Sequence, residues 1–143
     1  MYFGESNIWM AYSDDLIHWD YVPEPVFTPR KDEYDKVLVE PGPPPVMLKE
    51  GILLIYNGVD RDQEGGRVYK PGAVLLDKND PTKVIARTKK PFLEPDQEWE
   101  KVGYVNNVVF AETMEEHNGK LLLYYGGADR RIGLAIFDPK KTK

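Results

Sequence analysis

The feature that most constrains this chain is a unit that recurs every 62 residues. Its clearest copy begins at Gly51 with an apolar run over 52–56, breaks at Gly58, crosses a polar stretch, and resumes as a second apolar run over 73–76 closed by Asp77. Apolar runs of this length, rich in β-branched and aromatic residues and bounded by glycine and aspartate, read as strands. The pair predicts a hairpin. Its loop, residues 59–68, holds Asp60, Arg61, Asp62, Gln63, Glu64, Gly65, Gly66 and Arg67 and is too polar to bury. Loops carried on rigid strands are where ligand contacts concentrate.

A second copy runs from Gly119 through Tyr124, Tyr125, Gly126 and Asp129 to Asp138, and a shortened one from Tyr2 through Gly4 to Asp14. Ala11, Ala73 and Ala135 mark the same place in each, at intervals of 62 residues. A fixed period of this size points to a repeat architecture. Each unit offers about four strand-sized segments, as a blade of a β-propeller does. The expected fold is therefore all-β: one domain over residues 1–143, a partial β-propeller of about two and a half blades. The first blade is expected to be truncated at its N-terminus, because residues 1–4 match only the end of the strand that Gly51 and Gly119 open elsewhere.

Composition narrows the function by exclusion. With no cysteine and two histidines far apart, neither a disulfide framework nor a metal site is expected, and no cofactor is called for. The net charge of −5 argues against nucleic acid, which needs a clustered basic surface. Lys140, Lys141 and Lys143, after Pro139, read as a solvated tail. No apolar run approaches the ~18 residues of a membrane span and no signal peptide is visible, so no membrane partner and a cytoplasmic location are expected.

Several positions invite chemistry. Ser13, Asp14 and Asp15 suit a tight turn, with Leu16 and Trp19 directed inward and His18 a turn residue rather than a ligand. Residues 23–29 and 41–45 are proline-rich extended connectors. Glu40 enters the second of them and has two readings: a carboxylate held rigidly for catalysis, or an exposed residue of a stiff linker. Residues 78–81 read as a turn and 84–87 as a short strand. The run 103–110 is strand-like and carries Asn106 and Asn107, whose amides donate and accept as sugar hydroxyls do, or else serve interstrand bonds and turns. Residues 112–118 read as a polar hairpin loop with His117 exposed.

Taken in order, these elements resemble glycoside hydrolase family 130, the β-mannoside phosphorylases and related β-mannosidases. The resemblance rests on Ser13-x-Asp15-Leu16-x-x-Trp19, on Pro45 followed by Gly51-x-Leu-Leu-Ile-Tyr56-x-Gly58, and on Tyr69-x-x-Gly72-Ala-x-Leu-Leu-Asp77. It continues through Pro81-x-x-Val84-Ile-x-Arg87, Gly103-x-Val-x-Asn107-Val-Val-Phe110 and Tyr124-Tyr-Gly-x-Ala-Asp129. It covers nearly all of this chain and the C-terminal half of such an enzyme. It implies a five-bladed propeller with a sugar pocket at one end of its axis, and inverting cleavage with an aspartic acid as proton donor. That acid and the phosphate-holding arginines belong to the family's N-terminal half.

Within this half, the resemblance places Asp129 at a mannosyl-binding aspartate and Tyr69 at a tyrosine lining the phosphate or sugar site. Two departures stand out. Similar phosphorylases carry histidine, a phosphate ligand, at Asn57, and the phosphorylase pattern suggests a lysine at Leu38. Glu40 nearby would repel phosphate and could activate water. The expectation is thus a hydrolase-like site with Glu40 as base and Asp129, Tyr69, Asn107, Asp60 and Asn57 as substrate contacts. The alternative is an inactive carbohydrate-binding or structural half-propeller. Either way the expected ligand is a β-mannoside-like oligosaccharide, and a homodimer or a separate N-terminal half is expected to complete the ring.

Overall fold

The computed structural model of the chain describes residues 1–138, 140 and 141, so Lys143 of the lysine-rich end lies outside the described residues. The chain is almost entirely β, in three antiparallel sheets taken in sequence order. The N-terminal sheet is β1 (Tyr2–Phe3), β2 (Trp9–Tyr12) and β3 (Asp20–Tyr21). The central sheet contains β4 (Leu38–Pro41), β5 (Val46–Met47), β6 (Ile52–Arg61), β7 (Arg67–Leu76) and β8 (Val84–Arg87). Its order is β4-β6-β7-β8, with β5 also pairing β6. A single helical turn, α1 (Glu98–Lys101), precedes the C-terminal sheet of β9 (Val109–His117), β10 (Lys120–Gly127) and β11 (Arg131–Phe137). Ala11, Ala73 and Ala135 fall in β2, β7 and β11, corresponding strands of the three sheets.

Two cores hold the sheets together, and the two-residue alternation of β6 feeds both. Leu54 and Tyr56 face the N-terminal sheet, packing with Ile8, Phe27, Tyr34, Val39, Val74 and Leu76. Leu53 and Ile55 face the C-terminal sheet, packing with Ala73, Ala111, Met114, Leu123 and Ala135. Each fully buried aliphatic or aromatic side chain contributes on the order of 1.5–3 kcal/mol.

A charged network crosses the first core. Asp35 is wholly buried and accepts from the Tyr56 hydroxyl at 2.8 Å, from Arg30 at 2.8 Å and from Arg87 at 2.6 Å. Arg30 also donates to the Thr88 carbonyl, and the Arg87 guanidinium lies over the Phe27 and Tyr56 rings. A buried carboxylate is tolerated because every neighbour donates to it.

The structure corrects several local expectations. The central hairpin loop is 62–66, not 59–68, because Val59 is fully buried and the ladder runs on to Arg61 and Arg67. The Asp62 carboxylate closes that loop by accepting from the amides of Glu64 and Gly66. Residues 112–117 are strand, since their pairing with apolar β10 needs only Met114 turned inward. The turn is Asn118–Gly119, both with positive φ, a two-residue hairpin. Residues 103–107 form bends instead of a strand, held by the Asn106 side chain accepting from the Gly103 amide and by Asn107 at φ 59°. Leu16 and Trp19 point outward, because the Ser13 and Asp15 side chains claim the amides of the turn and leave Leu16 at φ 61°. His18 is part of that turn, 2.6 Å from the Asp15 carboxylate. No helix among the described residues is long and apolar enough to cross a membrane.

Candidate functional site

One cavity, of about 180 Å³, gathers side chains from separate segments of the chain: Glu40 from β4, Tyr69 from β7, Val105 and Val108 from the segment entering β9, Phe110 from β9 itself, and Asp129 from the turn after β10. The register explains the convergence. Glu40 pairs with Asn57, and Val59 with Tyr69, so that Glu40, Asn57 and Tyr69 all lie on the face of the central sheet that looks toward the C-terminal sheet.

The far wall is built by α1 and the bends after it. Trp99 stacks on Tyr125 at 5.8 Å, fitting against Gly127 and Gly133, where side chains would collide. Glu100 is buried and accepts from the Tyr125 hydroxyl at 2.7 Å and from the amides of Asp96 and Gln97. Burial pushes the Glu100 carboxyl up, but these donors outweigh it and hold its pKa below the usual range. From this anchor, the Ala128 carbonyl accepts from Tyr104, the Ala128 amide donates to Val108, and the Tyr69 amide donates to the Asn107 carbonyl. Ala128 and Asp129 both sit at positive φ, so the turn presenting Asp129 is held in an uncommon backbone conformation.

Electrostatics in the cavity centre on Glu40. Burial raises the pKa of its carboxyl, Glu5 from the turn between β1 and β2 raises it further, and Arg67 opposes both. Arg67 also donates to the Tyr69 hydroxyl at 3.5 Å. Glu5 is brought to this side by the Ser6 carbonyl, which accepts from the Val39 amide. Neither Glu5 nor Arg67 was among the expected site residues. Arg67 could have been found from its place two residues before Tyr69, on the same face of a strand. Glu5 could have been found from its place in the first repeat, just after Gly4.

Not every expected residue joins the cavity. Asn107 lines the adjoining cleft, with its amide 3.5 Å from Asp62, while its backbone fixes Tyr69. Asn57 lies beneath, fully buried, with its amide bonded to the backbone of Ala111 at both ends. Asp60 pairs with Val68 and so faces the other side of the sheet, where Lys36 at 2.8 Å and Lys70 at 4.0 Å hold it. Among the described residues no cluster of histidine, cysteine, aspartate and glutamate could hold a metal ion.

The result is a small cleft lined by two carboxylates, a phenol and apolar side chains, carried on stacked antiparallel sheets. A glycosyl hydrolase from Bacteroides ovatus matches the chain with a TM-score of 0.90 at 40% identity, covering 100% of this chain and 43% of that one. The β-1,2-mannobiose phosphorylase of Listeria innocua, solved with β-1,2-mannobiose, matches with a TM-score of 0.82 at 38% identity over 94% of this chain and 37% of that one. The family model described as beta-1,4-mannooligosaccharide phosphorylase matches residues 1–142, and the chain belongs to that family, glycoside hydrolase family 130. A 1,2-β-oligomannan phosphorylase from Thermoanaerobacter sp. (strain X514) is 45% identical over 96% of this chain. The chain spans 45% of that relative's length.

Proposed function

We propose that this chain supplies part of the cleavage site of a β-mannoside-acting enzyme, with a centre of hydrolytic rather than phosphorolytic character. The observation that carries this reading is the cavity shared by Glu40, Tyr69 and Asp129. Glu40 is partly buried with a strengthened hold on protons, as a general base for water requires. In such an enzyme it would take a proton from the water attacking the anomeric carbon, while an acid elsewhere protonates the leaving oxygen. Asp129 and Tyr69 would hold sugar hydroxyls, with Asn107 at the margin. Asn57 spends its amide on Ala111 and offers no cation to phosphate.

For the bond cleaved, we favour a β-1,2-mannoside. Relatives named for β-1,2-linked mannosides are 45%, 43% and 40% identical to the chain, against 33% for a β-1,4-mannooligosaccharide phosphorylase.

The three sheets would be successive blades of a partial propeller forming one domain. The outward face of the C-terminal sheet carries Tyr124, Ile132, Leu134 and Ile136, all exposed, as expected of a blade that awaits a neighbour. A second copy or a separate N-terminal half would cover it, and the setting proposed with it is carbohydrate metabolism.

The test is product analysis of β-1,2-mannobiose incubated with the protein, with and without inorganic phosphate. Free mannose at a rate indifferent to phosphate supports the reading. Mannose 1-phosphate, formed only when phosphate is added, overturns its hydrolytic half. A second reading is a non-catalytic sugar-binding half-propeller. Calorimetric sugar binding without product would support it.

A further inference from the structure

Asparagine is followed by glycine twice in the chain, at Asn57–Gly58 and at Asn118–Gly119. Asparagine is a chemically labile residue, and a following glycine exposes it most, because without a Cβ the glycine amide nitrogen is open to the neighbouring carboxamide. The reaction needs the two groups free to meet. The fold gives the two copies opposite surroundings.

Asn57–Gly58 lies in the middle of β6, where Asn57 pairs with Glu40 and Pro71, and Gly58 with Val39 and Lys70. Asn57 is fully buried, and both polar atoms of its carboxamide are bonded to the Ala111 backbone. Gly58 is hemmed in by Asp35 and the Tyr34 ring, which a Cβ there would strike. The carboxamide therefore cannot turn onto the Gly58 nitrogen unless the sheet opens.

Asn118–Gly119 is the whole turn between β9 and β10 and stands outside the ladder, whose last pair is His117 with Lys120. Both turn residues are exposed, and no described residue comes within 4 Å of the place a Gly119 side chain would take. The carboxamide nitrogen of Asn118 lies 2.9 Å from Nε2 of His117. An imidazole is thus in contact with the nitrogen that imide formation would expel.

We propose that Asn118–Gly119 is a site of spontaneous covalent modification, losing its carboxamide through a cyclic imide, while the identical pair Asn57–Gly58 is protected by the fold. The Gly119 nitrogen gives its proton to solvent and bonds to Cγ of Asn118. The bond from Cγ to Nδ2 then breaks, and the nitrogen departs as ammonia, taking a proton from the His117 ring that solvent restores. Water opens the imide at one carbonyl or the other, leaving aspartate or isoaspartate. Either product adds a negative charge close to Glu115 and Glu116. Isoaspartate also adds a carbon to the backbone of a two-residue turn, which loosens the closing pair His117 and Lys120.

The experiment incubates the intact protein at neutral pH, folded and in urea, and follows conversion at each asparagine by digestion and mass spectrometry. In the folded protein Asn118 is expected to convert at least about tenfold faster than Asn57, which reacts only when its sheet opens. In urea the two rates should converge. His117→Gln should slow conversion of Asn118 about threefold or more in the folded protein and leave the rate in urea unchanged. Equal rates at the two sites in the folded protein, or an Asn118 that stays intact there while it converts in urea, overturns the proposal. A His117→Gln protein that converts as fast as the wild type overturns the part given to His117.

Discussion

Asn57 and Ala111 are joined twice: the Asn57 carbonyl oxygen accepts from the Ala111 amide at 2.7 Å, and its amide nitrogen donates to the Ala111 carbonyl at 3.2 Å. Both residues are fully buried, so one side chain of β6 stands in for a backbone partner of β9 and stitches the central sheet to the C-terminal one. Replacing Asn57 with alanine strands both backbone groups of Ala111 away from water. The expected loss is about 2–4 kcal/mol, read as a lower urea midpoint at unchanged m-value.

Glu40 should reveal itself through pH. Its folded-state pKa is raised by burial first and by Glu5 second, so the folded protein binds this proton more tightly than the unfolded chain does. Its stabilising contribution is therefore present at low pH and lost as pH rises through the raised pKa, leaving ionised Glu40 a cost to the fold near neutrality. Glu40→Gln should raise Tm near neutral pH, show no gain in acid, and lower kcat by roughly 10²–10⁴-fold. A variant equally stable at both pH values, or one that keeps its activity, would contradict this assignment.

Arg67 opposes the two effects that raise the pKa of Glu40. In Arg67→Met the acid limb of the kcat/KM profile should move to higher pH than in the wild type. The wild-type limb should itself lie above the ordinary glutamate value of about 4.3. The pH–rate profiles of the two proteins, measured side by side, check the direction.

Asp35 is the acceptor on which Arg30, Arg87 and Tyr56 converge. Asp35→Ala leaves two guanidinium groups without their carboxylate and should cost about 3–5 kcal/mol by chemical denaturation. Tyr56→Phe removes one donor while Arg30 and Arg87 stay paired, and should cost about 1–2 kcal/mol.

Gly133 has no room for a side chain: a Cβ there would collide with the Tyr125 ring and come within 2.6 Å of Trp99. Gly133→Ala should cost about 1–3 kcal/mol through overpacking. Because α1 carries the bends that fix Tyr69 and Ala128, catalytic efficiency should fall with it. A shift in tryptophan fluorescence would show that Trp99 has moved.

Much of the fold was legible because strands write their period into the sequence. The apolar runs of β6, β7, β10 and β11 and the interval between Ala11, Ala73 and Ala135 mark the repeated sheets without any tertiary information. Boundaries were less legible. Val59 and Asp60 look like loop beside a polar stretch, yet pairing with β7 carries the ladder past them. Residues 112–117 are polar and exposed apart from Met114, which is partly buried against the second core. Asn118 and Gly119 did signal their turn, by the residue pair that tolerates positive φ at both positions.

By itself, the sequence determined an all-β repeat, the family, and the residue types that line the candidate site. Which of them meet was decided only by the tertiary structure. Sheet register puts Glu40 and Tyr69 on one face and turns Asp60 to the other, where lysines claim it. Packing of β9 against β6 commits Asn57 to Ala111, and the anchoring of α1 carries Asp129 to the cavity from a distant part of the chain. Period and composition are local properties of the chain. Juxtaposition arises from the stacking of one sheet on the next, which no single stretch of residues encodes.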